Sequence, residues 1–135
     1  MSLYVDTSAL LKRYVDEADS DVAERHLLSD LVWVTARHSF VEVRRNLARL
    51  LTGAALTKAR RYFDADWSRT HVVELDGQTC ELAATLAEVS GVRTLDALHL
   101  AALQRVGGGR IPLLTFDVRQ AQAARALGIT VLGVS

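Results

Sequence analysis

One cysteine, one proline, one methionine and 6% aromatic residues are what the 135-residue chain offers of those types. A single thiol, Cys80, cannot close an internal disulfide, which excludes the cross-linked scaffolds of secreted proteins. Cys80 has no basic neighbour in sequence and is expected to fill core rather than react. No apolar run is long enough to span a bilayer, and the first residues lack the basic-then-apolar layout of a signal peptide. The expectation is a cytoplasmic protein with no membrane partner. An excess charge of one sign is also missing: 16 bases balance 16 acids, so bulk charge predicts no polyanionic partner. Low-complexity tracts, obvious repeats and Pro/Ser-rich linkers are absent as well.

What the chain does have is enough apolar material for one core. Hydrophobic residues make up 50% and charged residues 24%, which excludes disorder and fits a single globular domain over residues 1–135. Short β-type runs recur: "LYV" at 3–5, "LVWVT" at 31–35, "HVVEL" at 71–75, "IPLLTF" at 111–116 and "ITVLGV" at 129–134. Helical stretches separate them, so the fold class is α/β, with a mostly parallel sheet covered on both faces. Pro112 stands at a strand start, and Gly128 is placed to end the helix of 118–127. "GGG" at 107–109 lacks the Lys-Ser/Thr ending of a phosphate loop and reads as a turn.

Charge is unevenly distributed. Residues 16–30 carry six acids against Arg25 alone, whereas residues 37–69 carry eight bases against Glu42, Asp64 and Asp66. The basic block suits either a phosphate backbone or a solvated helix surface.

Ligands of open α/β sheets bind beyond the carboxyl ends of the strands. Asp6 follows the first strand and Asp117 follows "PLLTF", which places both on that rim. Asp96, in "RTLDALHLAAL", falls in a first helical turn with Thr94 as candidate N-cap. In "ARHSFVEVRRNLARLL", Phe40, Val43, Leu47, Leu50 and Leu51 make a core stripe, flanked by a polar stripe of Ser39, Glu42, Asn46 and Arg49. Each acid has a local explanation. Asp6 and Asp117 can cap helices, Asp96 can complement a helix dipole, and Glu42 has Arg45 one turn on. Together they suggest another: carboxylates crowded on one rim repel each other unless they share a cation, and Mg²⁺ or Mn²⁺ suits such hard oxygen donors.

"YVDTSALLKRY" at 4–14, Glu42, "RTLDALHLAAL" at 93–103 and "LLTFD" at 113–117 together resemble the PIN-domain family, most closely the VapC toxins of toxin–antitoxin pairs. The resemblance covers essentially the whole chain in motif order and spacing. It implies a three-layer α/β/α sandwich around a five-stranded, mostly parallel sheet, and a Mg²⁺- or Mn²⁺-dependent endoribonuclease. It assigns Asp6, Asp96 and Asp117 to the metal, with Glu42 bound directly or through water. Ser8 and Thr115 are expected to orient water or acids as part of the catalytic set, and the basic block to position unpaired RNA. The family further implies a homodimer and a VapB-like antitoxin whose C-terminal arm fills the groove, in heterotetramers or larger assemblies. Apolar residues around 9–15 and 22–32 are candidate docking surface.

Other chemistries find less support. His26, His38, His71 and His99 show no zinc-ligand spacing, although His99 lies one turn after Asp96 and could reach the mouth of a site. No G-x-S-x-G elbow supports a serine hydrolase. Trp33, Trp67 and the tyrosines are spread out, more like core than a base-stacking platform. A phosphoacceptor receiver domain would share the strand-end acids, but would show paired acids after the first strand and a late lysine. The only lysines are Lys12 and Lys58. A catalytically silent PIN-like RNA-binding protein is the third reading.

Overall fold

Strand β1 (Ser2–Val5) turns Leu3 and Val5 to one side and Tyr4 to the other, and this alternation divides the molecule into two cores. The computed structural model describes residues 1–29, 32–107 and 109–134. The chain runs through α1 (Thr7–Tyr14), α2 (Ser20–Ser29), β2 (Val32–Ala36), α3 (His38–Leu50), α4 (Gly53–Trp67) and β3 (His71–Val73). It continues through α5 (Gly77–Ser90), α6 (Thr94–Gly107), β4 (Leu113–Thr115), α7 (Val118–Ala126) and β5 (Val131–Gly133). The five strands pair in parallel in the order β3-β2-β1-β4-β5.

Leu3, Val5 and Leu114 pack against Leu10 of α1, Leu27 of α2, Val43 and Leu47 of α3 and Phe63 of α4. On the opposite face, Tyr4, Val34 and Leu113 pack against Leu86 of α5, Leu100 and Leu103 of α6 and Ala124 of α7. The expected three layers follow from this. The side chains of each face are apolar at strand period and at helix period in register, so each helix buries one stripe on the sheet. Phe63 is buried, and Phe40, Trp67 and Tyr14 pack against it edge to face or tilted, so Trp67 and Tyr14 serve the core as expected, whereas Tyr62 is exposed.

Strands β3, β4 and β5 are shorter than their apolar runs. The run at 111–116 pairs only over Leu113–Thr115, because Phe116 N–H donates to Ser8 Oγ and Asp117 N–H to Thr115 Oγ1. The run at 31–35 gives Val32–Ala36, with Leu31 outside the described residues, as is Gly108 of the glycine turn. Three further expectations need correction. Cys80 is exposed, since α5 buries Thr79, Ala83 and Leu86 and leaves the thiol one step off that face. Of the candidate docking residues, Ala9, Leu10, Leu11 and Leu27 are core, while Leu28 and Val32 stay exposed. Thr94 is not the cap of α6: Ala97 N–H bonds the Arg93 carbonyl, so the helix begins at Thr94.

The two central strands carry the rim that matters. Moving along the chain, the sheet grows from β1 outward to β3, then returns to add β4 on the other side of β1. The crevice at that reversal lies beyond Val5 and Thr115. Gly133 braces it from β5: its φ is +100°, and a Cβ there would lie 2.4 Å from the Thr115 carbonyl oxygen. Gly133→Ala is expected to cost about 1–3 kcal/mol, read as a lower urea midpoint with unchanged m-value. An alanine variant as stable as the parent would contradict this close approach.

Candidate active site

Asp6 is the first residue past β1 and the N-cap of α1. Its Oδ1 accepts from Ala9 N–H at 3.1 Å and from Ser8 Oγ at 2.7 Å, and its Oδ2 accepts from Thr115 Oγ1. A carboxylate oxygen has two lone pairs, so Oδ2 is the atom with capacity left. Asp6 is 3% exposed. Burial pushes its carboxyl pKa up, against the pull of the His99 charge and of the bonds from Thr115, Ser8 and Ala9.

Asp117 occupies the matching place beyond β4 and caps α7, with Oδ1 accepting from Arg119 and Gln120 N–H. Capping therefore occupies one oxygen of Asp117 and not the other. Asp96 sits in the first turn of α6, where its carboxyl has Arg93 Nε at 4.0 Å. Its pKa is raised by burial first, then by the charge of Asp117 and more weakly by that of Asp6. The three aspartates thus feel one another across a common space.

Glu42 enters from α3. Its Oε1 accepts from Thr7 Oγ1 at 2.6 Å and lies 3.4 Å from His99 Nε2 and 3.7 Å from His38 Nε2. Burial alone would raise its pKa; the bonds from His99 and Thr7 and the two nearby imidazoles outweigh that and hold it below the ordinary value. Glu42 points into the site and not along the helix towards Arg45. Asp6, Glu42, Asp96 and Asp117 line one cleft of ≈ 700 Å³, together with Thr7, Ser8, Asn46, Arg93 and His99. Thr115 lies behind the cleft wall, fully buried, and acts on it through Asp6 and the Asp117 backbone.

All six expected site residues therefore come together. Thr7 and His38 were not anticipated. His38 is buried on the same face of α3 as Glu42, and its position four residues earlier was the available signal. Burial and the neighbouring His99 lower the His38 pKa to about 4. His99 lines the cleft, as expected, and is buried, with Nδ1 2.8 Å from Tyr4 Oη. The basic block contributes less to the cleft than its charge suggested. Arg37 is paired with Glu74 and Arg69 with Asp66, while Arg49 bonds Asn46 at the cleft edge.

Clustered, partly dehydrated carboxylates with unused oxygens fit a hard divalent cation. The raised pKa of Asp96 gives a test. A carboxyl whose pKa is raised on folding contributes full stability below its ordinary value of 3.8, and that stability is lost as pH rises through the raised value. In chelator, Asp96→Asn should melt near the parent's temperature at about pH 4 and above it at neutral pH. A gap between the two melting curves that stays constant with pH would argue against crowding of these charges.

A doubly wound sheet with an acidic cleft at its switch point defines a class: α/β proteins that place charged ligands beyond the strand ends. The PIN domain model matches residues 3–126. The chain is 35% identical over 134 residues to Ribonuclease VapC46 of Mycobacterium tuberculosis, covering 99% of this chain and 98% of that protein. It is 31% identical to Ribonuclease VapC49 of the same species, covering 96% and 93%. Among solved structures, FitAcB from Neisseria gonorrhoeae superposes with a TM-score of 0.72 at 16% identity, covering 98% and 97%. Mycobacterium tuberculosis VapC20, a Sarcin-Ricin loop cleaving toxin, superposes with a TM-score of 0.69 at 21% identity, covering 90% and 94%. The chain belongs to the PIN domain family, and the receiver-domain reading is thereby overturned. No helix among the described residues is long and apolar enough to cross a membrane.

Proposed function

We propose that the protein is a divalent-metal-dependent endoribonuclease, a single domain over residues 1–135, that serves in the cytoplasm as the toxin of a toxin–antitoxin pair. The observation that carries this reading is the convergence of Asp6, Glu42, Asp96 and Asp117 on one cleft. Full-length similarity to proteins named Ribonuclease VapC supports the substrate class.

Asp6 Oδ2, Asp96 and the free oxygen of Asp117 would hold Mg²⁺ or Mn²⁺, with Glu42 directly or through water. When bound, such an ion offsets charge on the phosphate oxygens and acidifies water. The chain's own groups do the positioning. Thr115 and Ser8 fix the Asp6 carboxylate from two directions, so its free lone pair has one orientation. Thr7 holds Glu42 Oε1, which leaves Oε2 to take a proton from the attacking water. Arg93 and Arg49 stand at the cleft edge, where they would meet phosphates flanking the cut without reading bases.

The experiment is cleavage of a labelled single-stranded RNA by protein purified free of host nuclease. Cutting is expected with Mg²⁺ or Mn²⁺ and is expected to stop with chelator; no cutting with either ion would favour the silent RNA-binding reading. The proposed partners are a second copy of the chain and a VapB-like antitoxin. The neighbours include toxin–antitoxin complexes, some of them bound to DNA. Co-expression with the product of the adjacent reading frame should yield a stable complex in which cleavage is silenced.

A further inference from the structure

His38 and Glu42 stand one turn apart on α3, and His99 faces them from α6. One ligating atom from each falls within 4.8 Å of the other two. Tetrahedral zinc, with bonds of about 2.0–2.1 Å, sets neighbouring ligand atoms about 3.3–3.5 Å apart. Glu42 Oε1 is already 3.4 Å from His99 Nε2 and 3.7 Å from His38 Nε2, so these two separations are within a few tenths of an ångström of that spacing, and the third is no more than 4.8 Å. The two imidazoles are buried, with ring centroids 4.2 Å apart, and His38 Nδ1 has no hydrogen-bond partner among the described residues. His99 is oriented as zinc-bound histidines usually are, with Nδ1 held by Tyr4 Oη and Nε2 directed at Glu42.

We propose that His38, Glu42 and His99 form a second cation site, selective for a borderline ion such as Zn²⁺ and distinct from the all-oxygen group of Asp6, Asp96 and Asp117. Two nitrogens and one carboxylate oxygen suit Zn²⁺, whereas Mg²⁺ prefers six oxygens. Glu42 and His99 line the cleft, through which an ion would reach the site. His38 Nε2 now donates its proton to the Leu95 carbonyl at 3.1 Å. Loading the site moves that proton from Nε2 to His38 Nδ1, which has no hydrogen-bond partner among the described residues, and so frees the Nε2 lone pair for the ion. Because the site takes up Glu42, zinc would oppose the hydrolysis proposed above. That consequence rests on the ribonuclease reading; the site itself does not.

The test is therefore binding and not cleavage. Co²⁺, as a coloured stand-in for Zn²⁺, is titrated into metal-free protein in excess Mg²⁺, followed by displacement with Zn²⁺. One equivalent with the intense visible absorption of tetrahedral Co²⁺ is expected, retained in an Asp96→Asn/Asp117→Asn double variant. His38→Gln and His99→Gln should each weaken binding by more than about a hundredfold, beyond the roughly 10- to 100-fold typical of losing a supporting group. Weak six-coordinate absorption, insensitivity to both histidine changes, or loss in the aspartate variant would each overturn the site. His99→Gln also removes a partner of Tyr4 and could unfold the chain. The imidazole NMR signals of the unaltered protein provide a second measure: Zn²⁺ should shift those of His38 and His99 and leave those of His26 and His71 in place, and any other pattern counts against the proposal.

Discussion

Asp96→Asn is expected to reduce RNA cleavage by at least about a hundredfold, the scale of removing one preorganised electrostatic contact from an active site, while leaving the fold intact or firmer. The two halves of this expectation have one cause. Asp96 is held partly buried and beside Asp117 and Asp6, and burial first, then those charges, raise its pKa, the mark of a cost to keeping it ionised. Asparagine keeps the shape and removes the repulsion, so stability does not fall. It also removes the charge that a shared cation would need, so activity does. The helix itself is not at risk, because its start rests on the Ala97 N–H to Arg93 carbonyl bond and not on the Asp96 side chain. Parallel melting curves and timed cleavage assays with Mn²⁺ and Mg²⁺ would check both halves. Cleavage at the parental rate would remove Asp96 from the metal-binding set.

Asp66→Ala should produce the largest loss of stability, about 3 kcal/mol. Asp66 is a nearly buried carboxylate on α4 that accepts from Arg13 Nε at 2.7 Å, Tyr14 Oη at 2.7 Å and Arg69 at 3.0 Å. Arg13 passes the link on to Glu24 of α2 at 2.7 Å. Asp66 and Arg13 together thus join three helices of one layer. Burial, and then the adjacent Asp66, push the Tyr14 phenol pKa well up, so the tyrosine stays a neutral donor. Breaking a fully buried ion pair costs about 3–5 kcal/mol. The lower end applies because Arg13 and Arg69 keep some contact with water, which screens the charge left behind. Asp66→Asn, which can still accept from Tyr14, should lose roughly half as much. Urea denaturation of both variants would measure the difference; equal losses would mean that the ionic part contributes nothing.

Much of this architecture can be read along the chain. Five apolar runs separated by helical stretches gave the sheet, and Asp6 and Asp117 stood at strand ends as the crevice rule requires. Where strands stop was less legible. The ladder beyond Thr115 ends because a serine on α1 captures the Phe116 amide, a contact between distant segments with no local trace. Cys80 was misplaced because α5 is rich in small apolar residues all round, so its buried face has no strong contrast. His38 and His99 lie far apart in sequence and show no motif spacing. Their meeting depends on how α3 and α6 approach the end of the sheet from opposite layers, which pattern cannot give.

That assembly from both layers bears on protein synthesis. A chain extended only as far as α5 already carries Asp6 and Glu42, but the remaining two acids arrive with α6 and the turn after β4. Under the proposed activity, a growing polypeptide would be harmless to the messenger and ribosome making it until Asp117 had emerged. The same order of events would give a partner made beforehand time to reach the cleft as it forms.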